Sequence, residues 1–176
     1  MQKKWQPISA TEVAKLLMSF DPDREYFVDG KMPNMVEEEG YEPPTIGNFR
    51  LNKMLHICQM LHYAKYGEPL FFEELRAYYH GAIVYPIYRD FFSFYRQPLK
   101  AKEISLEKEK KNLISKTYYY FKNYSDDYLE TFSHDDPAWR KTWFEKKEDD
   151  DRMANSELSD FYQKLLGHIV KEVELS

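Results

Sequence analysis

The chain contains little of several residue types that particular folds and chemistries require. Its single cysteine, Cys58, excludes an intramolecular disulfide and suits a reducing compartment. With 6 glycines and 9 prolines among 176 residues, it offers little material for the many tight turns of a β-sandwich or barrel. It has no uninterrupted apolar run of the ~18 residues that a membrane-spanning helix needs, and no apolar signal segment follows its basic start. We therefore expect a cytoplasmic protein with no membrane contact.

Aromatic side chains are abundant, with 15 Tyr and 12 Phe in a chain that is 43% hydrophobic and 31% charged. This composition is typical of a folded globular protein, and the length fits one domain over residues 1–176. A net charge of −5 argues against non-specific nucleic-acid binding, which needs a basic surface. Residues 100–122 hold seven Lys against three Glu, whereas residues 131–152 are acidic. Two solvated faces are the simplest interpretation of this uneven charge.

Hydrophobic spacing predicts helices along most of the chain. The segment ISATEVAKLLMSF begins with Ser9 as a capping residue, and the chain after residue 158 repeats apolar residues at helical spacing. The segment FRLNKMLHICQMLHYAKYG, from Phe49 to Gly67, is apolar around most of a helical circumference. We predict that residues 49–66 form a buried central helix, because a helix with so little polar surface must be covered on several sides.

Two segments leave their secondary structure open. Residues 21–47 contain several turn signals and predict an irregular lobe, with either a short strand pair around EYFVDGK or a broken helix. Residues 72–79 fit a short helix or an extended edge equally well. Further on, Pro86 is placed to start a helix, and Pro137 predicts a turn. The sum is an all-α fold, a single compact domain of about six or seven helices around residues 49–66.

Reactive residues do not stand at spacings that predict a catalytic or metal site. His56, Cys58 and His62 point in different directions from a helix, and zinc-binding spacings are absent. The acidic pair Asp135–Asp136 is of a kind that is usually solvated, and no glycine-rich phosphate loop occurs. We therefore predict no enzyme, no metal and no cofactor. An unrecognised enzyme would need the histidines to converge in one pocket, namely His56, His62, His80 and His134.

Three stretches of the chain together resemble one protein family. The segment LNKMLHICQMLHYAKYGEPLF at residues 51–71 resembles the signature helix of the SocA-like, or Panacea-domain, proteins. The segment FEELRAYYHGAIVYPIYRDF at residues 72–91 is similar to the part that follows in this family, and Gly81 and Pro86 are in register. The segment FSHDDPAW at residues 132–139 matches a later feature of the family through its His, Pro and Trp.

The resemblance implies an all-α domain that acts as an antitoxin. Members neutralise toxins encoded beside them, and at least one kind delivers its toxin to an ATP-dependent protease. The partners implied are a cognate toxin protein and, in the second mode, that protease. On this basis we predict that the partner contacts the aromatic segment around Gly81 and the acidic stretch that follows. The residues predicted to bind the partner are Tyr78, His80, Gly81, Tyr85, Asp135, Asp136 and Trp139.

A third hypothesis is a nucleic-acid-associated regulator that uses the lysines of residues 100–122. The sequence shows no helix-turn-helix or other basic recognition element, so nucleic acid is the least favoured partner.

Overall fold

The computed structural model describes residues 5–32, 43–96, 105–145 and 150–176. Over these residues the chain is mostly α-helical, with one small antiparallel hairpin. The elements in chain order are α1 (Ala10–Ser19), α2 (Ile46–Tyr66), β1 (Leu75–Tyr78), β2 (Gly81–Val84), α3 (Tyr85–Arg89), α4 (Phe91–Arg96), α5 (Lys108–Phe121), α6 (Asp126–His134), α7 (Pro137–Glu145), a 3₁₀-helix (Asn155–Leu158) and α8 (Ser159–Leu175). The prediction of a mostly helical single domain is confirmed.

Helix α2 is the centre of the fold. The Thr45 side chain caps its N-terminus by accepting from the backbone N–H of Asn48, and Gly67 ends it in the left-handed conformation at φ 71°. Of its 21 residues, 17 are buried. The polar residues are buried as well as the apolar ones, because each makes hydrogen bonds to the elements packed around the helix. Gln59, for example, accepts from the backbone N–H of Leu70 and donates to the carbonyl of Phe71.

Helix α8 covers one side of α2 more extensively than any other described element, and α1, α5 and α6 cover other sides. The buried stripe of α8 runs through Tyr162, Leu166 and Val170. The apolar spacing predicted Phe161 and Leu165 on this stripe as well, but both are more than 40% exposed. A straight helix can turn only one face toward a single partner helix, so these two lie beyond its edge.

The β1–β2 hairpin settles the second open segment, residues 72–79, in favour of extended chain, with strand β1 at Leu75–Tyr78. Leu75 pairs with Val84 and Tyr78 with Gly81, so the turn is formed by Tyr79 and His80. The hairpin packs on α2 and α6, and β1 also contacts α7. It is held from its outer side too, since Met153 N donates to the carbonyl of Leu75.

The lobe at residues 21–47 is irregular where the structure describes it, and residues 33–42 lie outside the described part. The Asp21 carboxylate organises its first loop by accepting from the backbone N–H groups of Glu25, Tyr26 and Phe27. Neither the strand pair nor the broken helix predicted around EYFVDGK is formed. A bridge between Lys31 and Thr45, together with hydrogen bonds from Ile46 N and Gly47 N to the carbonyls of Gly30 and Val28, joins the lobe to the start of α2.

Two further predictions are corrected by the structure. Pro137 begins helix α7 after the short turn at Asp135 and Asp136, because proline fits the first position of a helix. Lys110 on α5 is buried rather than on a solvated lysine face, and its ammonium lies 3.2 Å from the ring centre of Tyr66. None of the described helices combines the length and the apolar character that crossing a bilayer requires.

Candidate functional site

A pocket of about 280 Å³ lies between α2 and the hairpin. Its walls are largely aromatic, and its lining residues are Pro44, Asn48, Phe49, Asn52, Lys53, Tyr78, Tyr79, His80, Gly81, Ile83 and Tyr88. The two asparagines are fully engaged in holding the walls together. Asn48 donates to the carbonyl of Tyr88, and Asn52 accepts from the backbone N–H of Val84 while donating to Asn48.

Lys53 is the one lysine that lines this pocket among the described residues, and it is 1% exposed. Its Nζ donates to the carbonyl of Ala82 at 2.8 Å and lies 5.0 Å from the ring centre of Phe49. In the part of the chain that the structure describes, no carboxylate lies within ion-pair distance of this ammonium. Burial therefore lowers the pKa of Lys53 to about 7, and the more distant Glu130 offsets this only in part.

Gly81 allows the hairpin to approach Lys53 closely. Its φ of 96° lies in the region that glycine adopts at little cost. A Cβ at this position would lie 2.5 Å from Ser133 Oγ and 2.9 Å from Lys53 Cε. The predicted site residue Gly81 is thus at the pocket, where its role is to leave room for its neighbours.

Around the mouth of the pocket, arginines pack on tyrosine rings. The guanidinium carbon of Arg76 lies 4.8 Å from the ring centre of Tyr85, and that of Arg89 lies 6.0 Å from the same ring. Tyr78 and Tyr88 meet edge to face at 5.6 Å. We call these five residues, Arg76, Tyr78, Tyr85, Tyr88 and Arg89, the hairpin face. Two of the predicted contact residues, Tyr78 and Tyr85, belong to it. Tyr88 is half-buried.

A buried hydrogen-bonded network lies behind the hairpin. His56 Nε2 donates to Asp136 Oδ2 at 2.7 Å, and His56 Nδ1 lies 2.9 Å from Ser133 Oγ. A carboxylate can only accept, so Nε2 is the donor to Asp136, and in the tautomer with one proton on Nε2 the Nδ1 atom accepts from the Ser133 hydroxyl. Tyr162 and Asn155 also donate to Asp136. The network therefore joins α2, α6, the loop before α7, the 3₁₀-helix and α8.

The prediction that the Asp135–Asp136 pair is solvated is wrong for Asp136. This residue is 2% exposed, and its two carboxylate oxygens accept four hydrogen bonds. It is therefore a structural residue and offers no charge to a partner. The side chain of its neighbour Asp135 is 68% exposed and is a free-standing surface charge apart from Arg140 at 3.9 Å.

Ser133, His56 and Asp136 stand in the order of a serine hydrolase triad. All three are buried, Ser133 Oγ also accepts from the backbone N–H of Ala82, and Ser133 does not line the pocket. A substrate carbonyl would have to displace the hairpin backbone to reach this hydroxyl. The contacts present are those of a structural clamp between α6 and β2.

The remaining predicted contact residues hold the hairpin in place. Trp139 is 5% exposed, stacks on His134 at 4.1 Å and donates from Nε1 to the carbonyl of Tyr78. His134 donates to the carbonyl of Tyr79. His80 lies at the pocket with its Nδ1 3.3 Å from Glu130. Trp139 is thus a support for the hairpin face rather than part of it.

The histidines are not gathered in one place. His80 and His134 both approach Glu130, and His56 bonds to Ser133 and Asp136. His62 donates to the carbonyl of Glu68 on another side of the molecule, where burial lowers its pKa to about 4. Over the described ranges, no group of three or more His, Cys, Asp or Glu side chains has an arrangement that could hold a metal ion.

A family model described as "Antitoxin SocA-like, Panacea domain" matches residues 51–140, slightly more than half of the chain. The chain belongs to this antitoxin family. The matched part of the Panacea domain runs from within α2 into α7 and includes Lys53, the whole hairpin and the His56–Ser133–Asp136 network. Comparison with curated proteins and with solved structures finds no match.

Sequence reasoning missed the two buried polar centres of this Panacea domain, Lys53 and the Ser133–His56–Asp136 network. The sequence does contain a signal for Lys53. This lysine stands in a segment that is apolar around most of a helical circumference, and a charged residue in such a segment is a candidate for burial. The partners of His56 come from 77 and 80 positions further along the chain, so no local spacing could indicate them.

Proposed function

We propose that this protein is an antitoxin that neutralises a cognate toxin by direct binding at the hairpin face. Membership of the antitoxin family supports a toxin partner. The observation that supports this surface is the packing of Arg76 and Arg89 on Tyr85 beside the pocket mouth. Tyrosine and arginine are enriched among the residues that dominate binding energy at protein interfaces. We expect the protein to act in the cytoplasm, where its unpaired Cys58 stays reduced.

The hairpin face is also rigid, which favours binding. The carbonyls of Tyr78 and Tyr79 accept hydrogen bonds from Trp139 and His134, so the hairpin backbone is fixed from behind. Arg76 is further restrained by Asp151 at 3.5 Å. A surface that is already ordered loses less conformational entropy on binding than a mobile loop.

The first test is growth in the presence of the neighbouring open reading frame, expressed under tight control with and without this protein. We expect growth arrest by the neighbour and relief by this protein, and co-purification of the two chains. A harmless neighbour, or an arrest that persists, would contradict the antitoxin function.

Variants then test the surface. We expect Tyr85→Ala and Arg89→Ala to weaken the complex by about tenfold or more each, the range of interface hot spots. Tyr119→Ala is the matched control, because Tyr119 is 48% exposed on α5, away from the hairpin. Equal loss from the control and the two hairpin variants would place the toxin elsewhere.

In the alternative function, the protein binds the same toxin but delivers it to an ATP-dependent protease. Repeating the growth assay in a strain that lacks the protease separates the two. Relief that persists without the protease supports neutralisation by binding, and relief that is lost supports delivery.

A role as a nucleic-acid-associated regulator is less favoured, because the lysine surface of α5 is smaller than the sequence suggested. Lys110 is buried between Trp5 and Tyr66, and Lys116 donates to the carbonyl of Glu174. We expect no gel shift on the upstream promoter even at low salt.

We also propose that the protein is not an enzyme and that the Ser133–His56–Asp136 network is structural. A fluorophosphonate probe labels activated serines, and we expect no labelling of Ser133. Labelling of wild type that disappears in Ser133→Ala would instead identify a nucleophilic serine.

A further inference from the structure

Among the residues that the structure describes, the lining of the pocket beside the hairpin contains one buried cation, Lys53, and no carboxylate. Lys53 donates one hydrogen bond, to the Ala82 carbonyl, and an ammonium has three donors. Glu130 is the carboxylate that acts on the pKa of Lys53. It lies beyond ion-pair distance from the ammonium and also approaches His80 and His134. A buried charge in this situation is usually paired, because an unpaired ion loses its hydration without compensation.

The two asparagine amides of the lining are already hydrogen-bonded to other protein groups. The amide of Asn48 donates to Tyr88, and that of Asn52 donates to Asn48 and accepts from Val84. Among the described residues, the Ala82 carbonyl is the hydrogen-bond acceptor of Lys53, so this ammonium has donors to offer a ligand. The other lining side chains include Phe49, Ile83, His80 and the tyrosines, so the walls are mostly rings and aliphatic groups with a few polar atoms.

These features define the ligand chemistry. The single ammonium supplies one positive charge, which matches a carboxylate. A phosphate would call for more positive charge, and the lining contains no arginine among the described residues. The volume of about 280 Å³ is at the lower end for small-ligand pockets, so the occupant is one ring or one side chain in size.

We propose that this pocket binds a carboxylate carried on an aromatic or aliphatic body, with the carboxylate paired to Lys53. The carboxylate belongs either to a free small acid or to a partner chain that presents its terminus or an acidic side chain. The second source rests on the proposed function, since it assumes a partner at the hairpin face. The site itself is tested without any toxin, so the failure of one proposal is distinguishable from the failure of the other.

The first measurement compares phenylacetate with its neutral analogue phenylacetamide by calorimetry on the wild-type protein. We expect the acid to bind at least about tenfold more tightly than the amide below pH 7, which is the typical worth of a hydrogen bond to a charged group. Above that pH the free ammonium loses its proton, so the preference for the acid should decline by up to about tenfold per pH unit.

Other titrating groups near the pocket are Glu130, His80 and His134. Burial lowers the pKa of His134, and the comparison of acid with amide is made from pH 6 upward. Isotope labelling of the Lys53 side chain gives a second readout, because a bound carboxylate raises the pKa of this ammonium.

The same comparison with the peptide Ala-Ala-Phe and its C-terminal amide distinguishes the two sources. Preference for the acid form with phenylacetate supports a small-molecule ligand. Preference seen with the peptide alone supports a chain terminus. If neither acid binds more tightly than its amide, the proposal is overturned.

Variants provide the control for location. Lys53→Met should remove the preference for the acid, whereas Lys108→Met, the same change at an exposed position of α5, should keep it. A preference that survives in a folded Lys53→Met protein would also overturn the proposal. If Lys53→Met does not fold, the wild-type comparison of acid with amide and its decline with pH decide the matter.

Discussion

At the scale of single residues, Asp136 joins several parts of the chain by hydrogen bonds, and no prediction from the sequence indicated this role. Its carboxylate accepts from His56, Ala138, Asn155 and Tyr162, which come from four different parts of the chain. A buried carboxylate is stable when its oxygens are fully hydrogen-bonded, and without it the donors of His56, Ala138 and Tyr162 would lose this acceptor.

We expect Asp136→Asn to lower the free energy of unfolding by at least about 2 kcal/mol. The NH2 group of the new side chain would face hydrogen-bond donors at a place where a carboxylate oxygen now accepts. Urea denaturation measures the change. Asp135→Asn is the matched control, since the Asp135 side chain is mostly exposed and its replacement should cost less than about 0.5 kcal/mol. Equal effects at the two positions would mean that the network contributes no stability.

Lys53 gives the stability of the protein a characteristic pH dependence. Its pKa in the folded protein is about 7, against 10.5 for an ordinary lysine. Between these two values the unfolded chain binds more protons than the folded chain, so the free energy of unfolding rises with pH. Below pH 7 both states hold the proton, and the full cost of burying the charge is present.

We therefore expect that the free energy of unfolding of wild type, relative to Lys53→Met, rises by about 1 kcal/mol per pH unit from pH 7 to pH 9. Chemical denaturation at several pH values measures this difference. Lys108→Met should leave the pH dependence of wild type unchanged. Parallel curves for wild type and Lys53→Met would show that the buried lysine keeps an ordinary pKa.

At the scale of elements, the hairpin is the part that the sequence did not specify. Its strands have four residues each, too few to establish an alternating pattern, and all four residues of β2 are buried. Its position depends on contacts with the preceding helix α2 and with α6 and α7, which come much later in the chain. The longer helices were predictable because apolar residues recur along them at helical spacing and because residues such as Ser9 and Gly67 mark helix ends.

The same difference explains which parts of the site were predicted. Gly81, Tyr78 and Tyr85 were named because they lie in a segment that resembles the family. The pocket itself was not, because it exists only where that segment crosses α2. Asp136 and Trp139 were assigned to a surface because sequence spacing does not reveal which side chains the fold later covers.

Gly81 is the position at which the hairpin tolerates least change. We expect Gly81→Ala to lower the free energy of unfolding by at least about 1–3 kcal/mol, since φ is positive and the added Cβ would meet Ser133 Oγ and Lys53 Cε. Thermal denaturation measures the loss. The contrasting variant is Gly167→Ala on α8, where an added Cβ would have no atom of another element within 4 Å. There we expect stabilisation by about 0.5–1 kcal/mol. Stabilisation by both changes would contradict the packing at Gly81.

At the scale of the whole molecule, the part that matches the family is smaller than the folded unit. The matched residues 51–140 include most of α2 but neither α1 nor α8. Both of these helices bury side chains against α2, and α8 does so along most of its length.

We expect a fragment of residues 51–140 to remain largely unfolded, since the sides of α2 that α1 and α8 cover would be exposed to water. Far-UV circular dichroism and the binding of a hydrophobic dye measure this. The full chain is the control and should show a cooperative thermal transition and little dye binding. A cooperative transition in the fragment would mean that the matched part folds independently.

The burial of α2 under α8 also has a consequence for protein synthesis. The ribosome completes α2 long before it reaches α8, because residues 67–158 are translated in between. Until then, an apolar helix that is destined for the interior has no partner on that side. The nascent chain therefore passes through a period in which chaperones can hold it, and under the proposed function it would bind a toxin only once α8 has been made.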